Sequence, residues 1–227
     1  MTKVYPNAAA TAAAAAAAAT PTPATERLKS IDESSMVLTV WKKSLLFNCD
    51  GFTVFDAHGN LVFRVDNYYA ASKAEISLMD ASGKSLLTFR RKRLGLADNW
   101  MVFEGESAVN PLFSVRKNLN RLRTNLLARV MSGCSGSGSS SPPSSPGNKK
   151  SVYEIEGSYS QRCCAVYDSE RRRVAEIKRK EAVGGVAFGV DVFRLIVEPE
   201  IDSAVAMALV ILLDRMFGSS RRFSALN

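Results

Sequence analysis

Apolar and polar residues between positions 36 and 198 follow the pattern of short β-strands. Alternation is visible in residues 61–65 and 192–197, and similar short β-type runs recur about every 8–12 residues, as in all-β sandwiches and barrels. No helical periodicity of comparable length separates them, so βαβ units and a parallel sheet are not expected. The pattern predicts strands near residues 36–41, 52–56, 61–66, 75–79, 85–90, 99–104, 112–116, 125–131, 152–157, 162–168, 173–179 and 192–198.

Tight turns of one recurring type are predicted between several of these strands. Segments 56–60 (Asp-Ala-His-Gly-Asn) and 80–84 (Asp-Ala-Ser-Gly-Lys) each precede an apolar run, and a looser copy starts at Asp168. An aspartate at such a corner accepts hydrogen bonds from the backbone ahead of it, and glycine supplies the positive φ. His58, the one histidine of the chain, is therefore interpreted as a turn residue.

The segment after the last strand predicts an apolar helix. Pro199 and the acidic residues around it suit a first helical turn, residues 204–213 are all apolar, and Gly218 is a candidate C-terminal cap. Ten helical residues rise about 15 Å, half of the roughly 30 Å of bilayer hydrocarbon. The segment has no polar face, and burying its seven largest apolar side chains would contribute about 14 kcal/mol gross.

A helix that is apolar on all sides yet too short to span a membrane is expected inside its own protein. The simplest structure that surrounds it is a sheet closed around it, which also removes exposed edge strands. The predicted fold is therefore mainly β, a closed antiparallel barrel of about twelve strands enclosing a hydrophobic C-terminal helix. An interfacial membrane anchor is the competing interpretation, but such helices carry a polar face.

Composition divides the chain into one folding domain and two low-complexity stretches. Residues 1–30 are rich in Ala, Thr and Pro and are interpreted as a disordered leader, with a transit peptide as the alternative. Residues 31–218 form the predicted barrel domain, interrupted by a flexible Ser/Pro/Gly loop at 132–150, and residues 219–227 are a tail. Ser141 and Ser145, each before a proline, are candidate phosphorylation sites.

The charge balance favours an anionic partner. The chain contains 30 lysines and arginines and 22 acidic residues, which gives a net charge of +8 and a pI of about 9.5. Such a field attracts acidic lipid, nucleic acid or acidic protein, whereas the alternative is a soluble surface with a basic bias. Alternate residues of a strand point to the same side, so basic residues at such positions could present paired cations to a phosphate. The alternative interpretation is that these basic residues are solvated strand ends that discourage edge pairing. The candidate lipid-binding residues are Arg90, Arg91, Lys92 and Arg93, and Lys178, Arg179 and Lys180.

No catalytic or metal-binding pattern accompanies these clusters. The chain has a single histidine, its four cysteines form no C-x-x-C pair, and no G-x-S-x-G elbow or P-loop spacing occurs. We therefore expect no enzyme activity, no cofactor and no bound metal. Reduced thiols are expected in a cytoplasmic protein.

Several motifs resemble the plant LURP-one-related family. They are the strand at 61–65 after its turn, residues 78–87, Asn99-Trp100, residues 103–107, and the ending at 197–204. The family is similar in fold to tubby C-terminal domains and phospholipid scramblases, which implies a twelve-stranded barrel around a hydrophobic helix. The resemblance also implies a link to plant defence and, through tubby domains, phosphoinositide binding. Scramblases resemble calcium-binding proteins just before their last helix. Here that position holds only Glu198, Glu200 and Asp202, which offer too few oxygen ligands for a calcium site.

The expected function is that of a non-enzymatic barrel protein in plant signalling or defence. It would bind anionic phospholipid such as phosphoinositide, or dock a protein partner, as a monomer without a transmembrane span. The inner face of the plasma membrane and the nucleus are the alternative locations within the cell. A nucleic-acid-binding regulator is the weaker alternative, because the clusters contain no interleaved aromatic residues, and a scramblase-like lipid protein is another.

Overall fold

The structure is a computed structural model that describes the barrel and its helix. The predictions for the leader 1–30, for the loop beyond residue 133 and for the tail 219–227 fall outside the described residues, as does Arg93. For residues 49, 50, 67 and 68 only the backbone is described. The described residues are 35–46, 49–68, 75–92, 98–106, 109–120, 125–133, 151–182, 184–185 and 187–218.

Twelve antiparallel strands close into a barrel. Each strand pairs with its neighbours in the chain, and β1 pairs with β12 to complete the ring. The predicted barrel is confirmed, and the largest boundary shift is at β2, which begins at Cys49 instead of residue 52. The strands are β1 Met36–Trp41, β2 Cys49–Phe55, β3 Leu61–Tyr68, β4 Glu75–Asp80, β5 Ser85–Arg91, β6 Asn99–Glu104, β7 Pro111–Lys117, β8 Leu126–Ser132, β9 Ser151–Ser158, β10 Cys163–Tyr167, β11 Arg173–Arg179 and β12 Val192–Val197.

The C-terminal helix α1, Ser203–Phe217, occupies the interior of the barrel. Residues 206–213 are each at most 1% exposed, so the helix is covered on every side, as its sequence predicts. The strands supply the cover because alternate side chains point inward: Leu38 and Val40 of β1 are buried, whereas Trp41 is exposed.

The helix begins later than Pro199 suggests. Asp202 is the N-cap, and its carboxylate accepts hydrogen bonds from the backbone N–H groups of Ala204 and Val205. The prediction that Pro199 lies in the first helical turn is therefore wrong, because a side-chain cap defines the helix start more strongly than the proline does. Gly218 follows the helix as predicted, and its N–H donates to the carbonyl of Asp214.

The aspartate turns form as predicted. The Asp56 carboxylate accepts 2.8 Å hydrogen bonds from the N–H groups of His58 and Asn60, and Gly59 has φ of 86°. His58 is thus a turn residue with an exposed side chain. The Asp168 turn closes in the same way with Arg171 at φ of 64° in place of a glycine.

Strand direction divides the connections between two ends of the barrel. Because neighbouring strands are antiparallel, all connections after odd-numbered strands lie at one end and those after even-numbered strands at the other. β12 delivers the chain to the second end, and α1 therefore runs back through the barrel and finishes at the first end. Among the described residues, no helix is long and apolar enough to cross a membrane.

Burial of α1 predicts a large difference between two leucine-to-alanine substitutions. Leu212 is fully buried, so Leu212→Ala should lower the free energy of unfolding by about 2–5 kcal/mol through lost contacts and a cavity. Leu119 is 60% exposed, and Leu119→Ala should change it by less than about 0.5 kcal/mol. Urea unfolding midpoints measure both, and equal effects would contradict the internal position of the helix.

Candidate functional site

The two ends of the barrel differ in charge. We call the end formed by the connections after odd-numbered strands the basic rim, and the opposite end the acidic rim. Among the described residues of these connections, the basic rim has five basic and three acidic side chains, against three basic and seven acidic at the acidic rim. The basic rim carries Lys42, Lys43, Lys92, Arg162 and Lys180 beside Asp98, Glu181 and Asp191; the acidic rim carries Lys84, Arg171 and Arg172 beside Asp56, Glu106, Asp168, Glu170, Glu198, Glu200 and Asp202.

This charge distribution complements the dipole of α1. The helix N-terminus, the positive end of the dipole, lies at the acidic rim and is capped by Asp202. At the basic rim, the ammonium of Lys117 donates a 2.9 Å hydrogen bond to the carbonyl of Met216, in the last helical turn. Lys117 also lies 4.5 Å from the ring centre of Phe217. Cations at the helix C-terminus therefore stabilise the helix and the barrel mouth together.

Asp214 connects the end of the helix to the barrel wall at the basic rim. Its Oδ1 lies 2.8 Å from the Lys42 ammonium and accepts a 3.2 Å hydrogen bond from the Tyr159 hydroxyl. Burial, followed by the negative charge of Asp214, raises the pKa of Tyr159 well above its usual value. The phenol therefore stays neutral and keeps donating over the physiological pH range. Lys42 has a structural partner and is not a free surface cation.

Arg162 is a buried cation beside this contact. Its guanidinium stacks against the rings of Tyr159 and Phe193, at 4.2 and 4.3 Å, and Nε donates a 2.8 Å hydrogen bond to the carbonyl of Val190. The side chain thus joins the β9–β10 connection to the β11–β12 connection. Because Arg162 is only 5% exposed, it supports the rim and is not available to an external anion.

The first predicted cluster is partly neutralised. Arg90 Nε lies 2.8 Å from Glu75 Oε2, and Arg91 forms an ion pair with Asp98. Lys92 is exposed and makes no ion pair with any residue that the structure describes. Lys92 is therefore more available to an external anion than Arg90 or Arg91.

The second predicted cluster lies at the end of β11. Lys178 pairs with Glu176 at 3.0 Å, and Arg179 Nε donates to the carbonyl of Gln161. The Lys180 ammonium donates a 3.2 Å hydrogen bond to the hydroxyl of Thr39 and lies 5.2 Å from the ring centre of Phe188. Lys180 therefore crosses the outer face of β12 to reach β1.

The two clusters do not form one patch. β5 and β11 are six strands apart in the ring of twelve, on opposite sides of the barrel. Both strands are odd-numbered, however, so both clusters lie at the basic rim. Their role in lipid binding stays a prediction.

Sequence reasoning missed the exposed apolar side chains at the same rim. The β1–β2 connection presents Leu45 and Leu46, and the β11–β12 connection presents Phe188 and Val190. The available signal was the run at 182–190, Ala-Val-Gly-Gly-Val-Ala-Phe-Gly-Val, which has no polar side chain although it lies between two strands. Connections are normally polar, so an apolar connection marks a candidate contact surface.

The adjacent cysteines of β10 are free thiols in different environments. Cys163 is exposed and Cys164 is buried, and burial raises the pKa of the Cys164 thiol to about 12. Cys164 is therefore protonated and unreactive at neutral pH.

The fold defines the class of this protein as a closed twelve-stranded antiparallel barrel that encloses its C-terminal helix. A family model described as LURP-one-related matches residues 36–214. The chain therefore belongs to the LURP-one-related family.

Several relatives from Arabidopsis thaliana cover most of the chain. Protein LURP-one-related 8 is 48% identical over 223 residues, which are 97% of this chain and all of the relative. Protein LURP-one-related 17 is 43% identical over 194 residues, 79% of this chain and 82% of the relative. The X-ray structure of another Arabidopsis thaliana protein matches with a TM-score of 0.57 and 24% identity, covering 80% of this chain and 90% of that chain, which supports the fold alone.

The contact of Tyr159 with Asp214 predicts a specific effect of removing one hydroxyl. Tyr159→Phe should lower the free energy of unfolding by about 1 kcal/mol, because a part-buried hydrogen bond to a carboxylate is lost. Tyr153→Phe is the matched control, since Tyr153 is partly buried and its hydroxyl makes no hydrogen bond within the described residues. Urea midpoints give the comparison, and equal losses in both variants would show that the Asp214 contact does not stabilise the helix end.

Proposed function

We propose that this protein is a non-enzymatic barrel that binds anionic phospholipid at a cytosolic membrane surface through its basic rim. The observation that carries the proposal is the excess of cations beside exposed apolar side chains at one end of the barrel, whereas the described connections at the other end carry an excess of acidic side chains. A protein with such a charge distribution is oriented by a negative surface before contact, because one end is attracted and the other repelled.

The positions of the available lysines favour an extended anionic surface over a small ligand. Lys43, Lys92 and Lys180 belong to the connections after β1, β5 and β11, so they are distributed around the barrel mouth. The barrel interior is occupied by α1, and a filled barrel offers no central cavity for a substrate. A membrane surface can contact Lys43 and Lys92 directly, and it can contact Lys180 once its ammonium exchanges the Thr39 hydroxyl for a lipid phosphate.

The expected electrostatic contribution is large enough to measure. A lysine close to a membrane rich in anionic lipid contributes about 1 kcal/mol. Three lysines therefore contribute about 3 kcal/mol, which corresponds to roughly a 100-fold difference in partition coefficient. The attraction should weaken with salt, since the Debye length falls from about 10 Å at 0.1 M to about 3 Å at 1 M.

Phosphoinositide is the proposed lipid class, with phosphatidylserine as the simpler anionic alternative. Arg179 and Lys180 follow each other at the end of β11, and the Arg179 side chain is exposed. Their side chains extend to opposite neighbours, Gln161 and Thr39, so phosphoinositide is favoured by the higher negative charge of its headgroup and not by a preformed site. Comparing vesicles that carry the two lipids at equal total charge distinguishes headgroup recognition from general attraction.

The proposed cellular role is regulatory. The protein would act in plant signalling or defence as a membrane-bound factor that docks a protein partner or is released from the membrane. Such a role suits a barrel that binds anionic lipid at one rim, and its location would be the cytoplasm, at the inner face of the plasma membrane.

A pair of charge-matched triple variants tests the proposal. Lys43→Gln, Lys92→Gln and Lys180→Gln together should weaken co-sedimentation with phosphatidylcholine–phosphoinositide vesicles by about 100-fold at low salt. The control combines Lys84→Gln, Arg171→Gln and Arg172→Gln, which removes the same charge from the acidic rim, and should bind almost as the unaltered protein does.

Urea midpoints check that both triple variants remain folded. Equal loss of binding in the two variants would reject the basic rim as the contact surface. No sedimentation of the unaltered protein, together with tight salt-dependent binding to duplex DNA in a gel-shift titration, would favour the nucleic-acid alternative.

A further inference from the structure

The β11–β12 connection exposes an apolar segment beside the lysines of the basic rim. Residues 182–190 contain no polar side chain, and every one of them that the structure describes is exposed. Phe188 is 39% exposed and Val190 is 51% exposed. Leaving such side chains in water is unfavourable, and a contiguous exposed apolar patch usually marks a contact surface.

The base of this connection is held to the barrel by specific polar contacts. The carbonyl of Val190 accepts from buried Arg162, the carbonyl of Asp191 accepts a 2.7 Å hydrogen bond from the N–H of Lys42, and the N–H of Val192 donates to the carbonyl of Gly189. The backbone is therefore anchored while the apolar side chains are directed away from the core.

The neighbouring β1–β2 connection presents a second apolar pair in the same way. The buried Ser44 hydroxyl donates to the Asp66 carboxylate at 2.5 Å and accepts from the N–H of Leu46 at 3.0 Å. This inward serine leaves Leu45 and Leu46 exposed. The hydrogen bond between Lys42 and Asp191 joins the two connections, so the two apolar pairs belong to one region of the rim.

Two lysines lie beside aromatic rings in this region, whereas Glu181 and Asp191 bound the apolar run itself. Lys43 lies 5.2 Å from the ring centre of Trp41, and Lys180 lies 5.2 Å from that of Phe188. Aromatic rings with adjacent lysines are typical of membrane interfaces, where the ring enters the headgroup layer and the ammonium remains with the phosphates. A symmetric contact between two copies through this rim would instead bring like charges together.

We infer that Phe188 and Val190 of the β11–β12 connection, with Leu45 and Leu46 beside them, insert into the headgroup–acyl boundary of an anionic bilayer. The inference rests on the proposed function and adds the mode of binding to it. Insertion contributes an attraction that salt does not screen, whereas the lysines contribute the part that salt removes.

A double variant with a matched control tests insertion in the full-length protein. Phe188→Ser with Val190→Ser should weaken binding to phosphatidylcholine–phosphatidylserine vesicles by about tenfold or more, and the loss should persist at high salt. Val109→Ser with Leu112→Ser removes two exposed apolar side chains at the acidic rim, which are 82% and 43% exposed, and should leave binding unchanged.

Depth is measured with single tryptophan reporters in the otherwise unaltered chain. Phe188→Trp should shift its emission to the blue and be quenched by brominated acyl chains in the same vesicles, in excess of the unaltered protein. Val109→Trp at the acidic rim should show neither change.

The outcomes separate the inference from the proposed function. No binding of the unaltered protein to anionic vesicles overturns both. Binding that the serine double variant retains in full, without quenching of the Phe188→Trp reporter, overturns insertion and leaves the electrostatic proposal standing. A dimer in sedimentation velocity that the serine double variant converts to a monomer assigns the loop to a second copy and also overturns insertion.

Discussion

Burial of α1 inside the closed sheet is the interaction on which the rest of this structure depends. The helix provides the core that a ring of twelve strands needs, and the ring covers a segment that water would otherwise reach on all sides. Its direction also follows from this arrangement: β12 ends at the acidic rim, so the helix dipole points its positive end there and its negative end toward the basic rim. The contacts of Lys117 with Met216 and of Lys42 with Asp214 then fix the helix end among cations.

The same arrangement explains why function is sought on the surface and not in a cavity. With the interior filled, the variable parts are the connections at the two rims, and they differ in composition. At the acidic rim, aspartates such as Asp56 and Asp168 are used within their own turns. At the basic rim, lysines lie beside exposed leucine, phenylalanine and tryptophan side chains. That pairing of apolar and cationic groups is the basis of the proposal for an anionic membrane.

Much of the fold could be predicted from sequence because the relevant signals are local. Alternation gives the strands, the aspartate–glycine turns give the hairpin corners, and an apolar stretch such as 204–213 predicts a buried helix. The candidate site is harder to predict from the sequence than the fold is. The pairing of Arg90 with Glu75 depends on strand register, in which these residues are opposite each other, and the separation of the two basic clusters depends on the position of each strand in the ring. That both clusters lie at the basic rim follows only from counting the strands, because β5 and β11 are both odd-numbered. Missing one strand in the prediction would have assigned every later connection to the wrong end of the barrel.

Hydrogen–deuterium exchange of the full-length protein, with and without phosphoinositide-containing vesicles, measures whether the basic rim is the surface that meets the membrane. We expect vesicles to slow exchange in the connections at 42–46 and 180–191, while turns 56–60 and 168–172 exchange at unchanged rates. Slower exchange confined to the acidic rim, or no change at either end although the protein is bound, would contradict the assignment of the basic rim as the membrane-facing surface.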